Sequence, residues 1–197
     1  SLQAGLTVAL SPNVPVDMKS QFIALTTEAM QRETARAPED ARLRMLFGGF
    51  LNRVGQYPAA TEQLEKAHTL SPNKQAISFE LANSYLNTGK TSEALALLKR
   101  THELAPEYND ARVSYAVSAV YAGDFALAEA LMASTTAVSV RTDERLVKAY
   151  YSAKRFDKVI ALLALRLEEK PGDPQTHVSL AAAYMSLGNR SRAIAEL

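Results

Sequence analysis

The chain reads Gly55-Gln-Tyr-Pro-Ala-Ala-Thr-Glu-Gln-Leu-Glu-Lys-Ala-His-Thr-Leu-Ser-Pro72 and, starting 34 residues later, Gly89-Lys-Thr-Ser-Glu-Ala-Leu-Ala-Leu-Leu-Lys-Arg-Thr-His-Glu-Leu-Ala-Pro106. The two stretches align without a gap, and a glycine, an alanine, two leucines, a histidine and a proline coincide in them. Self-similarity at a fixed period of this length is the signature of stacked helical units. The repeat therefore predicts the architecture before any single element is assigned.

Three kinds of residue keep the same spacing along a longer part of the chain. They are Pro38, Pro72 and Pro106, then Gly55, Gly89 and Gly123, and finally Ala60, Ala94 and Ala128. The phase then slips, because Pro106 to Pro171 and Gly123 to Gly188 are each 65 residues apart, three fewer than two repeats of 34. The shortfall falls around residues 133–140, so the third unit is predicted to be degenerate, with residues 137–140 irregular or extended.

Within each unit the apolar residues recur at helical spacing. Leu81 and Tyr85, and then Ala94, Leu97 and Leu98, lie three or four residues apart, which places them on one face of each of two helices. The glycine between the two helices predicts a left-handed residue where the chain reverses. Asp173 followed by Pro174 predicts a side-chain cap ahead of a proline at the first helical position. The pattern thus predicts an all-α stack of antiparallel helix pairs.

The motif resembles the tetratricopeptide repeat family, which is built on a 34-residue helix-turn-helix unit. The family's small residue in the first helix matches Gly48, Ala82, Ala116 and Ala181; its following aromatic matches Tyr85, Tyr150 and Tyr184; its second-helix alanine matches Ala60, Ala94, Ala128 and Ala193. The chain departs from the family in lacking tryptophan and in having Leu51 for the aromatic, Lys154 for the turn glycine and Val159 for the alanine. The resemblance implies a right-handed α-solenoid.

The predicted organisation has three parts: a lead-in over residues 1–16, an N-terminal capping helix over residues 17–37, and a repeat domain over residues 38–197. The repeat domain comprises about five units, of which the third is degenerate and the last incomplete. First helices are expected near residues 41–53, 75–87, 109–121, 141–153 and 174–187. Because a bare solenoid end exposes its apolar face, we expect the natural chain to continue beyond residue 197.

The resemblance also implies a binding surface, since the first helices of such stacks line the concave side. The candidate peptide-binding residues are Arg42, Met45, Asn52, Arg53, Phe79, Asn83, Asn87, Tyr121, Lys148 and Tyr151, extended by Val113, Val117 and Met185. Asparagine amides can bond a peptide backbone, and the aromatic side chains can supply apolar contacts. The alternative is that Phe79, Val113 and Val117 pack in the core. The family's clamp for a C-terminal carboxylate is not predicted, because only Asn83 matches it.

Composition and spacing argue against several other chemistries. With 22 Lys and Arg residues against 21 Asp and Glu, the chain lacks the basic excess that nucleic-acid binding requires. Cysteine is absent, and His68 and His102 occupy equivalent positions one repeat apart, too distant to share a metal ion. Gly89-Lys-Thr-Ser92 resembles the end of a phosphate loop, but Ser84 stands where that loop needs glycine. We predict no catalytic site, no cofactor and no metal.

The basic residues between Arg141 and Lys158 are partly offset by Asp143, Glu144 and Asp157. A solvated face is the first interpretation of this region, and a patch for an acidic partner is the second. No apolar run reaches the about 20 residues of a membrane span, since Pro12 and Pro15 interrupt the N-terminal stretch. No membrane contact by this segment itself is therefore predicted, and the cellular compartment is left open.

Three functional hypotheses follow. The first is a scaffold that binds a protein or peptide in its concave groove, as a fragment of a larger protein. The second is the soluble repeat tail of a bacterial membrane-bound O-antigen ligase-like glycosyltransferase, because the lead-in from Leu6 to Pro15 resembles such tails. The third is a structural solenoid that self-associates through its ends.

Overall fold

The computed structural model describes residues 14–197, and every regular element within them is a helix. The predicted lead-in, residues 1–16, therefore lies almost wholly outside the described residues. The chain divides into two units, Ser1–Thr88 and Gly89–Leu197. Among the described residues, no helix is both long and apolar enough to cross a bilayer.

The first unit contains four helices: α1 (Val16–Arg36), α2 (Ala41–Arg53), α3 (Tyr57–Leu70) and α4 (Gln75–Asn87). The start of α2 is fixed by Asp40, whose side chain accepts a hydrogen bond from the main-chain N–H of Leu43. Antiparallel packing of α2, α3 and α4 buries large apolar side chains between them, chiefly Phe47, Phe50, Leu51, Leu64, Ile77 and Leu81. The hydroxyls of Thr61 and Ser84 lie 2.6 Å apart, and so join α3 to α4 within this core.

The second unit contains eight helices: α5 (Thr91–Leu104), α6 (Asn109–Tyr121), α7 (Phe125–Ala133), α8 (Val138–Arg141), α9 (Glu144–Ser152), α10 (Phe156–Glu169), α11 (Pro174–Ser186) and α12 (Arg190–Ala195). Its core is continuous from α6 to α11 and includes Val120, Leu146, Tyr150, Val159, Leu163 and Leu180. At the start of α11, Asp173 accepts a hydrogen bond from the main-chain N–H of Thr176, and Pro174 occupies the first helical position. The predicted cap is thus confirmed.

The turns between paired helices are left-handed, as the glycines predict. Gly55, Gly89, Gly123 and Gly188 have φ between 75° and 79°. Lys154 replaces glycine at the equivalent turn and still has a φ of 57°. The repeat therefore imposes the same backbone on a residue with a side chain, at a steric cost of about 1 kcal/mol.

The degenerate third unit differs from the sequence expectation in one respect. Residues 137–140 were expected to be irregular or extended, but Val138–Arg141 forms a short helix, α8. This prediction was wrong, because α8 is held by packing against α6, α7 and α10 rather than by local propensity. The helix α7 has 9 residues, whereas α5 and α10 have 14 each, so the missing residues come from its C-terminal end.

Candidate functional site

In the first unit, two candidate asparagines lie side by side on α4. Asn83 and Asn87 are both exposed, and the amide nitrogen of Asn87 donates to the main-chain oxygen of Asn83 at 2.8 Å and to its side-chain oxygen at 3.2 Å. This arrangement engages the amide group of Asn87 as the donor and both the main-chain and the side-chain oxygen of Asn83 as acceptors. The Nδ2 donor of Asn83 and the Oδ1 acceptor of Asn87 are left for a ligand.

The third asparagine of the set is placed differently from the prediction. Asn52 is 5% exposed, and its amide nitrogen donates to both the main-chain oxygen and the carboxylate oxygen Oε2 of Glu80, each at 2.9 Å. The assignment of Asn52 to the ligand-facing set is therefore corrected: it joins α2 to α4. Sequence reasoning passed over Glu80, whose carboxylate covers Gly49 on the same face of the unit.

The remaining candidates of the first unit differ in exposure. Arg42 and Arg53 are exposed near the two ends of α2, whereas Met45 and Phe79 are half-buried. Half-burial leaves part of a large apolar side chain in contact with solvent, as a recognition surface requires. Four charged or apolar side chains and two asparagines thus remain as candidates in this unit.

In the second unit, Tyr121, Lys148 and Tyr151 are exposed on α6 and α9. The hydroxyl of Tyr151 lies 3.2 Å from that of Ser186 on α11, and its ring meets Phe156 edge-on with centroids 5.2 Å apart. Lys148 lies 3.7 Å from Glu144, an exposed pair that contributes little to stability. The Tyr151 ring is thereby oriented while 45% of its surface stays exposed.

The three residues that extend the peptide-binding set differ in burial. Val113 is 2% exposed and belongs to the core, as the alternative interpretation held, while Val117 is half-buried and Met185 is exposed. Arg145, which sequence reasoning did not select, donates to Asp110 on α6 at 2.9 Å and to Asp143 at 2.9 Å. The bond to Asp110 joins the first helices of consecutive repeats. Burial raises the pKa of Asp143, but the hydrogen bonds from Arg145 outweigh it and hold that pKa below its ordinary value.

The basic segment from Arg141 to Lys158 is largely neutralised by its neighbours. Besides the Arg145 and Lys148 contacts, Arg155 lies 3.2 Å from Asp157, and Lys158 lies 2.6 Å from Glu129. Arg141 and Lys154 are different, because no side-chain ion pair or hydrogen bond of either occurs among residues 14–197. The solvated-face interpretation therefore fits most of the segment; its two unpaired cations are Arg141 and Lys154, of which Lys154 is exposed.

Histidines do not assemble into a site. No three His, Cys, Asp or Glu side chains in the described part of the chain come together as metal ligands would. The ring of His102 packs against Tyr115 with centroids 6.0 Å apart, and burial together with Arg112 lowers its pKa. The His102 ring therefore packs against Tyr115 as a neutral group at neutral pH.

The repeat geometry agrees with comparisons to known proteins. The family model described as tetratricopeptide repeat matches residues 51–120. Residues 51–120 carry tetratricopeptide repeats. No curated protein sequence matches it significantly.

Solved tetratricopeptide repeat structures resemble the chain over most of its length. A protein from Parabacteroides merdae ATCC 43184 has a TM-score of 0.68 at 17% identity, over 90% of this chain and 72% of its own. A thermophilic protein from Thermus thermophilus has a TM-score of 0.62 at 19% identity, over 94% of this chain and all of its own. YrrB, described as having an unusual peptide-binding site, has a TM-score of 0.54 at 18% identity, over 86% of this chain and 89% of its own. At these identities the likeness establishes the fold.

The packing of the paired helices explains why the small residues stand where they do. All eight predicted small positions are buried; they are Gly48, Ala82, Ala116, Ala181, Ala60, Ala94, Ala128 and Ala193. A Cβ atom on Gly48 would overlap Cγ of Leu64. Close approach of the paired helices therefore depends on these residues being small.

Proposed function

We propose that the chain is a scaffold that binds an extended peptide segment of a partner protein on the exposed face of its first helices. The tetratricopeptide repeat fold supports a role in protein interactions in general terms. The finer assignment to particular side chains rests on their chemistry. Proteins of this repeat architecture generally serve as non-catalytic scaffolds, which is consistent with a binding role.

The observation that carries the proposal is the exposed pair Asn83 and Asn87. The hydrogen bonds that Asn87 donates to Asn83 orient both amides and leave the Nδ2 donor of Asn83 and the Oδ1 acceptor of Asn87 for a ligand. A peptide backbone offers one acceptor and one donor per residue, so the pair is complementary to a single peptide unit. Half-buried Phe79, one helical turn before Asn83, supplies an apolar surface beside it.

The second unit offers a surface of different character. Tyr121 and Tyr151 present exposed aromatic rings, and Lys148 adds a cation on the same helix as Tyr151. Aromatic side chains bury much area with few rotatable bonds, which favours them at interfaces. We assign this surface to apolar and acidic side chains of a partner.

YrrB supports the proposal as a protein of the same fold whose description names a peptide-binding site. The O-antigen ligase hypothesis stays a prediction, since its residues lie mostly outside the described part and the matched family model covers residues 51–120. No observation in residues 14–197 favours it over the scaffold.

A random-peptide library displayed on phage, selected against the intact chain, tests the scaffold proposal directly. Selected peptides would then be measured by fluorescence anisotropy against the parent and the double variant Asn83→Ala/Asn87→Ala. We expect the variant to bind about tenfold more weakly, because each lost hydrogen bond contributes about 0.5–1.5 kcal/mol.

Asn73→Ala provides the matched control, since Asn73 is an exposed asparagine in the turn before α4. This variant should bind like the parent, and circular dichroism should show all three proteins equally helical. Failure of the library to yield any saturable binder, or equal binding by the parent and the double variant, would refute the assignment to Asn83 and Asn87.

Self-association is a second candidate, favoured by exposed apolar residues on α11 and α12. Val178, Met185 and Ile194 are 51%, 51% and 71% exposed. Sedimentation equilibrium of the parent and of Val178→Glu/Ile194→Glu distinguishes this candidate from the first. A mass that rises with concentration only in the parent supports self-association, and a concentration-independent monomer mass refutes it.

A further inference from the structure

A cleft of about 240 Å³ opens in the second unit beside the short helix α8. Its apolar walls are made by Met132 of α7, Leu146 and Tyr150 of α9, and Leu162 of α10. Its polar lining consists of Glu129, Arg141 and Lys158. Three helices and the end of α8 therefore surround the space.

The cleft lies where the third repeat is short. The helix α7 ends at Ala133 after 9 residues, while the equivalent helices α5 and α10 extend for 14. The chain then turns away and returns as α8, which packs against α6, α7 and α10. The cleft is thus bordered by the end of α7 and by α8. A second helix of full length would have continued past the end of α7.

The walls belong to well-packed parts of the unit. Leu146, Tyr150 and Met132 are 0%, 3% and 7% exposed. The Tyr150 ring stacks on Phe125 with centroids 6.2 Å apart, and the guanidinium of Arg155 covers the Phe125 ring at 4.5 Å. Because these side chains are fixed by the core, the cleft is preformed and a ligand need not order it.

The polar lining has unused donors. Among residues 14–197, neither the guanidinium of Arg141 nor the hydroxyl of Tyr150 makes a hydrogen bond. Burial raises the pKa of Tyr150, so its hydroxyl keeps its proton at neutral pH. The only lining acid, Glu129, is engaged by Lys158 at 2.6 Å. Two cations face one carboxylate here, and this excess is complementary to a negatively charged group.

The size of the cleft decides between kinds of occupant. Small-molecule sites typically enclose about 300–1,000 Å³, so a space of about 240 Å³ suits one large side chain. We infer that the cleft beside α8 binds a partner protein by taking in one large apolar side chain next to a carboxylate residue. The carboxylate is held by Arg141, and the apolar side chain packs on Met132 and Leu162.

This site is separate from the proposed surface on the first helices. Leu146 and Tyr150 lie on the opposite side of α9 from Lys148, since residues two apart on a helix differ by about 200°. The inference therefore stands or falls independently of the assignment of Asn83 and Asn87.

The test uses the intact chain with ¹³C-labelled methyl groups and two short peptides, acetyl-Glu-Phe-amide and acetyl-Gln-Phe-amide. The first should shift the methyl signals of Met132, Leu146 and Leu162 in a saturable manner. It should bind about tenfold more tightly than the second, since a hydrogen bond to a charged group contributes more than a neutral one.

Two variants locate the effect. Arg141→Gln should bring the two peptides to equal affinity, and Ala161→Trp, which fills the cleft from α10, should abolish the binding of both. Arg100→Gln changes an exposed arginine on α5 and should leave binding as in the parent. Unchanged circular dichroism of the three variants separates loss of binding from loss of folding.

Four outcomes would overturn the inference. They are an absence of saturable shifts, equal affinity of both peptides for the parent, unchanged selectivity in Arg141→Gln, and binding of free 4-phenylbutyrate without binding of the acidic peptide. Methyl shifts that depend on protein concentration alone would place a second copy of the chain in the cleft and would likewise overturn it.

Discussion

The amide nitrogen of Asn52 lies 2.9 Å from the main-chain oxygen of Glu80 and 2.9 Å from its carboxylate oxygen Oε2. These two bonds join the first helices of consecutive repeats at a position where the other repeats carry Leu86, Val120, Tyr151 or Met185. Val120 is buried and Tyr151 reaches Ser186 of the next repeat, whereas Met185 is exposed, so the position mediates packing between repeats in part of the stack. Asn52 performs with hydrogen bonds what Val120 performs with apolar contact.

Asn52→Ala should therefore lower the free energy of unfolding by about 1–2 kcal/mol, because it removes two buried hydrogen bonds. Urea denaturation followed by circular dichroism measures the change. Asn83→Ala is the matched control in an exposed asparagine and should stay within about 0.5 kcal/mol of the parent. Equal effects of the two substitutions would show that Asn52 has no special structural role.

Gly48 and Gly49 are adjacent in α2 but should respond oppositely to alanine. A Cβ atom on Gly48 would overlap the Leu64 side chain, whereas one on Gly49 would meet the Glu80 carboxylate at 3.5 Å, an ordinary contact. Gly48→Ala should destabilise the protein by about 1–3 kcal/mol through overpacking. Gly49→Ala should stabilise it by about 0.5–1 kcal/mol, since alanine favours the helix.

Thermal unfolding of both variants and of Gly48→Ala/Leu64→Ala checks this pair. The double variant should lose less than the sum of its single substitutions, because the smaller Leu64 replacement makes room for the new methyl group. Strict additivity would mean that Leu64 is not the obstacle.

The sequence predicted the helices better than the binding surface, for a physical reason. Glycine at the turns and proline near the helix ends act locally, so the first helices at residues 41–53, 75–87 and 109–121 were predicted correctly. The burial of Asn52 depends on Glu80 in the next repeat, a contact that spacing within one repeat does not contain. The helix α8 likewise forms only because α6, α7 and α10 surround it.

Lys154 carries a left-handed backbone conformation that glycine adopts in the equivalent turns. Lys154→Gly should raise the free energy of unfolding by about 0.5–1 kcal/mol, because it removes the side-chain clash. The gain is not larger, since glycine also makes the unfolded chain more flexible. Gly123→Ala is the reverse change at an equivalent turn, where φ is 79°, and should cost about 1–2 kcal/mol.

Chemical denaturation of both variants measures these effects, with Lys154→Ala separating the backbone from the loss of charge. Lys154→Ala should stay near the parent, because alanine is also strained there. A gain in Lys154→Ala equal to that in Lys154→Gly would assign the effect to the lysine charge instead.

His177 ties the end of the chain to the turn before α11. Its Nε2 lies 2.9 Å from the main-chain oxygen of Pro171, and its Nδ1 lies 2.8 Å from Glu196. The Pro171 bond, then Glu196 and the nearby Asp173, raise the pKa of His177. The folded pKa is above the unfolded value, so the contribution to stability is complete below about pH 6.5 and is lost as pH rises through the folded pKa.

Unfolding midpoints measured from about pH 5 to 8 should therefore fall less steeply with rising pH in His177→Gln than in the parent. His102 affects the pH dependence of stability in the opposite direction, because burial and Arg112 lower its pKa. As pH falls below about 6.5, the unfolded chain binds a proton at this histidine before the folded chain does, and the folded state loses stability. His102→Leu should remove a loss of stability on the acidic side and leave the His177 slope in place. Identical pH profiles for the two variants would contradict both assignments, since the two histidines bias folding in opposite directions.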